Sequence, residues 1–333
     1  MKKIRVSLKD RSYDILIGRG AIKKSGRILS RLGIGDSAFI ITPKRVSGLY
    51  GRPLARSLAH AGISAHFEHI PDGEKAKTAG VALRLVRTLG KFDIRKKTFI
   101  IALGGGVTGD VAGFVASVYK RGIPYVQIPT TLIAQVDSAI GGKVAIDLPE
   151  AKNLVGAIYQ PKAVICDISA LSTLPPRQVR NGLAEVIKYG VITDPALFVY
   201  LEKLGRQGAA LNAEALESIV ARCAAIKARV VEKDEFDRKG YRATLNYGHT
   251  IGHAIEAVSG YRGAYTHGEA IAIGMVAAAR IAVHCGILKK PDAIRIESLI
   301  RALGLPVRIR GLVFEALRGS YRHDKKFIRG TNR

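Results

Sequence analysis

Apolar and polar residues alternate through the first eighteen positions, as I-R-V-S-L and then Y-D-I-L-I-G. A period of two puts every second side chain on one face, so this stretch predicts a β-hairpin at a sheet edge. The pattern then changes. Ala21 to Leu32 reads as a short helix, Ser37 to Thr42 as a buried strand, Val46 to Ala61 as a helix and Ala65 to Ile70 as a second strand. The turn P-D-G-E-K-A-K-T leads into a helix through Leu89. Thr98 to Leu103 is a continuous apolar run stopped by Gly104, Gly105 and Gly106. A helix, a strand from Tyr125 to Ile128, the turn P-T-T and a helix to Ile140 follow. Residues 142–168 read as loops with one short strand, A-V-I-C-D. Apolar strands alternating with helices predict a mostly parallel, Rossmann-like sheet covered on both faces.

The texture changes after L-S-T-L-P-P at 171–176, and the double proline marks a boundary. Beyond it the periodicity is helical at 177–191, 195–204, 212–232, 247–258, 267–285 and 291–303, with a weaker helix near 311–318. The expected organisation is an α/β domain over 1–176 and an all-α domain over 177–333.

Charge adds a question. The chain has 53 Lys+Arg against 27 Asp+Glu, a net charge of +26, which invites a nucleic-acid partner. The basic residues are spread along the whole length with little aromatic interleaving. They therefore read as a solvated surface plus a few cations inside motifs, and no nucleic-acid partner is expected. Met1 to Asp10 lacks the apolar core of a secretory signal, and no run reaches the length of a membrane span. Cys166, Cys223 and Cys285 fit no C-x-x-C ligand spacing. A cytoplasmic protein with no membrane partner is expected.

Chemistry concentrates in a few places. His249 and His253 are four apart and share a helix face, and His267 opens the next helix. That is a divalent-metal pattern, usually zinc. Glu185, in N-G-L-A-E-V-I-K, could add a hard ligand or simply pair with Lys188. L-G-G-G-V-T-G-D follows a strand and opens a helix, and Gly104, Gly106 and Gly109 satisfy G-x-G-x-x-G, a shape that suits a pyrophosphate. The acid that usual dinucleotide sites place at the end of the next strand is missing; Y-V-Q-I-P-T-T stands there. The turn P-D-G-E-K could hold ribose hydroxyls. D-S-A-I-G-G-K, with Lys152 and Asn153, suits a phosphate or carboxylate.

These motifs occur in the order found in the 3-dehydroquinate synthase family, which the chain closely resembles from about residue 71 to 326. The matches include P-D-G-E-x-x-K, G-G-G-V-x-G-D, P-T-T-L-x-A-x-x-D-S-x-x-G-G-K, G-x-x-E-x-x-K, N-x-G-H-x-x-G-H-A-x-E, T-H-G-E-A and H-D-K-K. The resemblance implies an NAD+-binding α/β domain, a helical domain, and a cleft holding a divalent metal, Zn2+ or Co2+, with a sugar phosphate. It makes Glu185, His249 and His267 the ligands and His253 a proton-transfer group. It places Lys143, Lys188, Lys227, Arg242 and Asn246 in catalysis. Asp137, Asn153 and Lys325 or Lys326 would surround the substrate, with Arg121 arriving from a second subunit of a homodimer. The dinucleotide would lie on Asp72, Glu74, Lys75, Gly104, Gly105, Gly106, Val107, Gly109, Asp110, Thr130 and Thr131, with Lys143 and Lys152 beside it.

The implied reaction turns 3-deoxy-D-arabino-heptulosonate 7-phosphate into 3-dehydroquinate and phosphate. The rival readings are a sister sugar-phosphate cyclase, such as an aminodehydroquinate synthase, and a metal-dependent polyol or glycerol-phosphate dehydrogenase.

Overall fold

The computed structural model describes residues 1–207, 211–259, 264–311, 327–328 and 331–332. The weak helix expected near 311–318 and the pair Lys325 and Lys326 lie outside the described residues. The chain divides into two units, one of 1–174 with 213–236 and one of 175–212 with 237–333.

The first unit is built on seven strands: β1 (Lys2–Val6), β2 (Tyr13–Gly18), β3 (Ser37–Pro43), β4 (Ser64–Ile70), β5 (Thr98–Gly104), β6 (Tyr125–Pro129) and, after a separate hairpin, β9 (Ala163–Asp167). Their order is β1-β2-β9-β6-β5-β3-β4. Only β1 and β2 run antiparallel, in the edge hairpin that the opening alternation predicts. Period-two alternation sorts the central strands between two cores. Phe39, Ile41, Ile100 and Ala102 face one side, against α3 (Ala79–Phe92) and α4 (Gly106–Val118). Ala38, Ile40, Phe99, Ile101 and Leu103 face the other, against α1 (Ser25–Leu32) and α2 (Lys44–Ala59). The sheet is thus buried on both faces, as continuous apolar strands require.

Three features depart from the sequence reading. The loop region expected over 142–168 contains an antiparallel hairpin, β7 (Lys143–Ile146) with β8 (Val155–Ile158). The helix expected to reach Ile140 widens into a π-helical turn at Ala134–Ser138, a distortion that re-aims side chains and is common at functional sites. The helix α7 (Ala213–Lys233) groups with the sheet unit although it follows the double proline. Its apolar stripe, including Ile219, Val220 and Cys223, is buried. Its polar end is tied to the edge hairpin: the Ser7 amide donates to Glu232, and Arg11 forms a two-point pair with Glu235.

The second unit is helical in its described residues apart from the short strands β10 (Phe327–Ile328) and β11 (Thr331–Asn332). Its helices are α5 (Pro176–Ile192), α6 (Pro195–Gln207), α8 (His249–Val258), α9 (His267–His284) and α10 (Lys290–Ala302). No helix among the described residues is long and apolar enough to cross a membrane.

The helix α9 is the hub of this unit, because small residues let its neighbours close in. A Cβ on Gly268 would collide with the Asn181 carbonyl of α5, and one on Gly274 would collide with the Gly248 carbonyl at the start of α8. Gly248 itself has φ +79°, a left-handed conformation that only glycine adopts without strain. Gly274→Ala should therefore destabilise the protein by about 1–3 kcal/mol through overpacking. Denaturant unfolding of the variant against the parent checks this, and an unchanged midpoint would show that α8 and α9 are not held at this separation.

Candidate active site

In the second unit, three elements each deliver one side chain to a common point. The helix α5 provides Glu185, 1 % exposed and three residues before Lys188, with which it forms a buried ion pair. Gly248 starts α8 and sets His249 at its first position. Thr266 and Glu269 form a reciprocal capping box that starts α9 and sets His267 at its first position. The Gly268 amide also donates to Asn181 of α5, which fixes the α9 start against the helix that carries Glu185.

The imidazole Nε2 atoms of His249 and His267 lie 3.4 and 3.5 Å from the same Glu185 oxygen, Oε1. Their other nitrogens are spoken for. His249 Nδ1 is 3.2 Å from the Tyr247 carbonyl, and His267 Nδ1 is 3.0 Å from a Glu256 carboxylate oxygen. A carbonyl and a carboxylate only accept, so each Nδ1 carries a proton. That leaves both Nε2 atoms turned toward a buried carboxylate oxygen that meets no donor in hydrogen-bond geometry. Such an orphaned oxygen is costly unless a cation joins it. Carboxylate plus two imidazoles, each steadied by a hydrogen bond behind it, is the donor set of a divalent metal centre, and the residues fit one.

The electrostatics agree. Burial pushes the Glu185 carboxyl up, but Lys188, His249 and His267 outweigh it and hold it well below the usual range. Burial drives His249 down to about 3, so it is neutral. At His267 burial is outweighed by Glu185 and Glu256, which hold it up to about 10. The site thus demands one positive charge opposite the two carboxylates, and a metal ion can supply it in place of the His267 Nε2 proton.

His253 occupies the rim. Its ring centroid is 5.4 Å from that of His249 and 6.1 Å from that of His267, and it is exposed. Spacing alone left it a possible ligand, but it stands outside the trio on Glu185. A second grouping of His253 and Glu256 with His267 exists beside the first. Glu256 closes the motif N-x-G-H-x-x-G-H-A-x-E, seven residues after His249 and two turns along the same face, but the sequence reading gave it no role. Arg242 is buried, whereas Asn246 is exposed.

The first unit gathers a second set of charges. Gly104 to Gly106 lie where β5 ends and α4 begins, beside Thr130, whose amide donates to Gly104. Thr131 follows at the start of the next turn and accepts from the Ala134 amide. Gly109 packs against Gln127 of β6, where a Cβ would not fit. These carboxyl ends adjoin the point where strand order reverses, between β3 and β5, which is where open α/β sheets bind ligands. A cavity of about 380 Å³ beyond β3 and β4 is lined by Lys44, Arg45, His69 and Asp72 among others.

Below the glycines, Lys77 is buried on Asp110, with Glu74 and Asp147 acting on it as well. Burial pushes the Asp110 carboxyl up despite that ammonium, and the charges of Glu74 and Asp147 push the same way. Lys75, the lysine assigned to the dinucleotide, is exposed, because the tight turn at Gly73–Ala76 points it outward. The inward lysine of this motif is Lys77, two residues on. Lys152 pairs with Glu74 at 3.0 Å. The Asn153 amide donates to Asp147, and Asn153 sits at φ +54°. Lys77 is the last residue of the P-D-G-E-x-x-K motif, and its burial selects it over Lys75; Asp147 was not singled out by sequence.

Asp137, on the π-helical turn, pairs at 2.6 Å with Lys227 of α7. Lys143 and Asn153 are exposed at the two sides of the β7–β8 hairpin. Arg121 is exposed at φ +65° in the turn after α4, and Val107 is half-buried in its first turn.

Glu256→Gln keeps the shape but weakens the acceptor behind His267. Divalent-cation affinity should fall about 10–100-fold, as for other groups that orient a metal-bound imidazole. Zinc titration by calorimetry measures this; an unchanged affinity would mean that Glu256 does not orient the ring.

Comparison with known proteins places this geometry. Residues 68–181 match the family described as 3-dehydroquinate synthase N-terminal, and residues 182–327 match 3-dehydroquinate synthase C-terminal. A 3-dehydroquinate synthase of Desulforamulus reducens is 48 % identical, the alignment covering 99 % of this chain and 92 % of the relative. A 2-deoxy-scyllo-inosose synthase, solved with carbaglucose-6-phosphate, NAD+ and Co2+, superposes with a TM-score of 0.86 at 29 % identity, covering 98 % of this chain and 88 % of that one. The 2-epi-5-epi-valiolone synthase of Streptomyces hygroscopicus subsp. jinggangensis, solved with NAD+ and Zn2+, gives 0.83 at 29 % identity, covering 95 % and 87 %. With both family matches in register over 68–327 and a relative of near-equal length at 48 % identity, the chain belongs to the 3-dehydroquinate synthase family.

Proposed function

We propose that this chain converts 3-deoxy-D-arabino-heptulosonate 7-phosphate into 3-dehydroquinate and phosphate, a phosphate-eliminating cyclisation of the shikimate pathway. The observation that carries the proposal is the convergence of two imidazole Nε2 atoms on the buried Glu185 Oε1, in a chain of this family. When bound, NAD+ supplies a hydride acceptor that is regenerated within the cycle, and a divalent cation, zinc or cobalt, supplies a Lewis acid that lowers a hydroxyl pKa.

Glu185, His249 and His267 hold the cation. The substrate is anionic at both ends, which suits the cations that this chain carries in its motifs. Lys143, Asn153, the Asp137–Lys227 pair, Lys188, Arg242 and Asn246 bind it. The Arg242 guanidinium, 4 % exposed, offers a planar fork to a carboxylate and favours a carboxylated substrate over the uncarboxylated substrates of sister cyclases. His253 holds or moves a proton at its exposed imidazole. Gly104 to Gly106, Asp110, Thr130, Thr131, Asp72, Glu74, Lys77 and Lys152 hold the dinucleotide. Arg121 serves a neighbouring active site in a homodimer, and the enzyme works in the cytoplasm.

The test is to supply the heptulosonate phosphate, NAD+ and zinc or cobalt, then follow phosphate, carbocycle and nicotinamide absorbance together. Phosphate and dehydroquinate in equal amounts, with no net NADH, are expected. Net NADH without phosphate release would identify a dehydrogenase instead. Glu185→Ala should lose bound cation and turnover together, and full turnover in chelator would refute the metal centre. Lys143→Ala should raise the KM for the sugar phosphate far more than the Kd for NAD+, which equilibrium binding and initial rates separate.

A further inference from the structure

Cations dispersed in the sequence are gathered by the fold. From Arg19 to Phe67, both included, the chain has nine Lys and Arg and a single acid, Asp36. The helices α1 and α2 from this stretch pack side by side over one face of the sheet and bury Leu29, Leu54 and Leu58 in the same core. Their cations consequently turn outward. Lys23, Lys24, Arg27, Arg31, Arg52 and Arg56 are all exposed. None of these six side chains forms an ion pair or hydrogen bond among the described residues. On other faces, Arg5, Arg84, Arg280 and Arg295 each meet a carboxylate, whereas here no acid of either helix is at hand.

The arrangement is self-repelling. Lys23, Arg27 and Arg31 recur every four residues, as do Arg52 and Arg56, and like charges at that spacing work against a helix. Neither helix carries an acid to offset them. Where the two helices meet is a cleft of about 630 Å³ whose lining holds Lys23, Lys24, Arg27 and Arg31 with His60, Ser30 and Ser57. Ala61 is the one apolar residue in that lining.

We propose that this face binds the phosphate backbone of duplex nucleic acid without reading its sequence. The chemistry excludes the nearest rivals. A second copy of the chain would bring the same sign of charge. A protein partner needs an extended apolar or aromatic centre, and Ala61 and His60 alone do not make one. With no Phe, Tyr or Trp in the lining and His60 its single ring, there is no platform for successive bases, so the contact is with the backbone and favours a duplex over a single strand. Successive cations on α1 rise roughly 6 Å apart, a step commensurate with phosphates spaced along a strand. The proposal is independent of the catalytic reading, since none of these residues is placed at the site.

The test uses the full chain and a fluorescein-labelled 24-base-pair duplex of random sequence, titrated from 50 to 200 mM salt. Binding that weakens linearly in log salt is expected. Arg27→Gln with Arg31→Gln removes two cations and keeps helix-forming side chains, so the log–log slope should shrink by roughly 1.8. The same neutralisation at Lys289 and Lys290, exposed at the start of α10, should leave slope and affinity unchanged. Turnover of the Arg27/Arg31 variant should equal that of the parent. Absence of saturable binding at 50 mM salt overturns the proposal, as does an equal loss from the Lys289/Lys290 variant. Equal or tighter binding of polyglutamate or of phosphatidylserine vesicles to the same face also overturns it, by assigning the surface to an acidic protein or a lipid.

Discussion

One carboxylate constrains the helical unit more than any other group. Glu185 is 1 % exposed, and a carboxylate in that position persists only if positive charge surrounds it. Lys188 supplies part of that charge from the same helix. The remainder comes from His267, or from a cation that His249 and His267 hold on different helices. Because these donors come from α5, α8 and α9, the charge requirement ties three helices to one point. The glycines at the helix contacts follow from it: Gly248, Gly268 and Gly274 allow backbones to approach closely enough for short side chains to converge. The capping box at Thr266 follows too, since a slip of one residue at the α9 start would carry His267 away from Glu185.

The sheet unit solves a similar problem with the signs reversed. Lys77 is a buried ammonium, and Asp110, Glu74 and Asp147 gather around it. These acids come from α4, from the turn after β4 and from the end of the β7–β8 hairpin. The cluster therefore clasps a dinucleotide-side turn to a hairpin that carries Lys143 and Asn153. Asp147 is central to that clasp. Its amide donates to the Lys77 carbonyl, and its side chain accepts from Asn153, whose left-handed backbone needs such support. A hairpin held in this way is pre-organised before any ligand arrives.

How much of this was legible follows from what each signal reports. Strand periodicity reports burial on one or two faces, so β1 to β6 and β9 could be read directly. The four-residue spacing of His249 and His253 reports a shared helix face, but not which imidazole meets the carboxylate. That depends on where α8 starts, and Gly248 at φ +79° decides it. The β7–β8 hairpin was hidden because G-K-V-A-I-D has too few alternating positions to outweigh its glycines and neighbouring loop residues. The helix α7 reads as one more amphipathic helix, and nothing in its period says which core its stripe will join. Glu256 and Lys77 stand inside quoted motifs, but their roles were open for a common reason: an acid or lysine on a helix or turn looks solvated until the fold buries it.

The surplus of positive charge separates along the same line. Lys77, Lys188 and Lys227, which sit inside the motifs, each meet a carboxylate: Asp110, Glu185 and Asp137. Pairing keeps a buried ammonium charged and fixes its direction, which a binding site requires. The cations of α1 and α2 have no such partners, and they stand on the outer layer of the sheet unit. A net charge of +26 is therefore not the charge of the proposed site. Within the motifs, each of these ammoniums stands opposite a carboxylate, so it adds little to the field at a distance. The bare helices add exposed charge to the long-range field, and salt screens that charge first, because exposed charges are screened far more than buried pairs. Moderate salt should thus leave the buried pairs of the two clusters intact while removing most of the attraction of the molecule for distant polyanions.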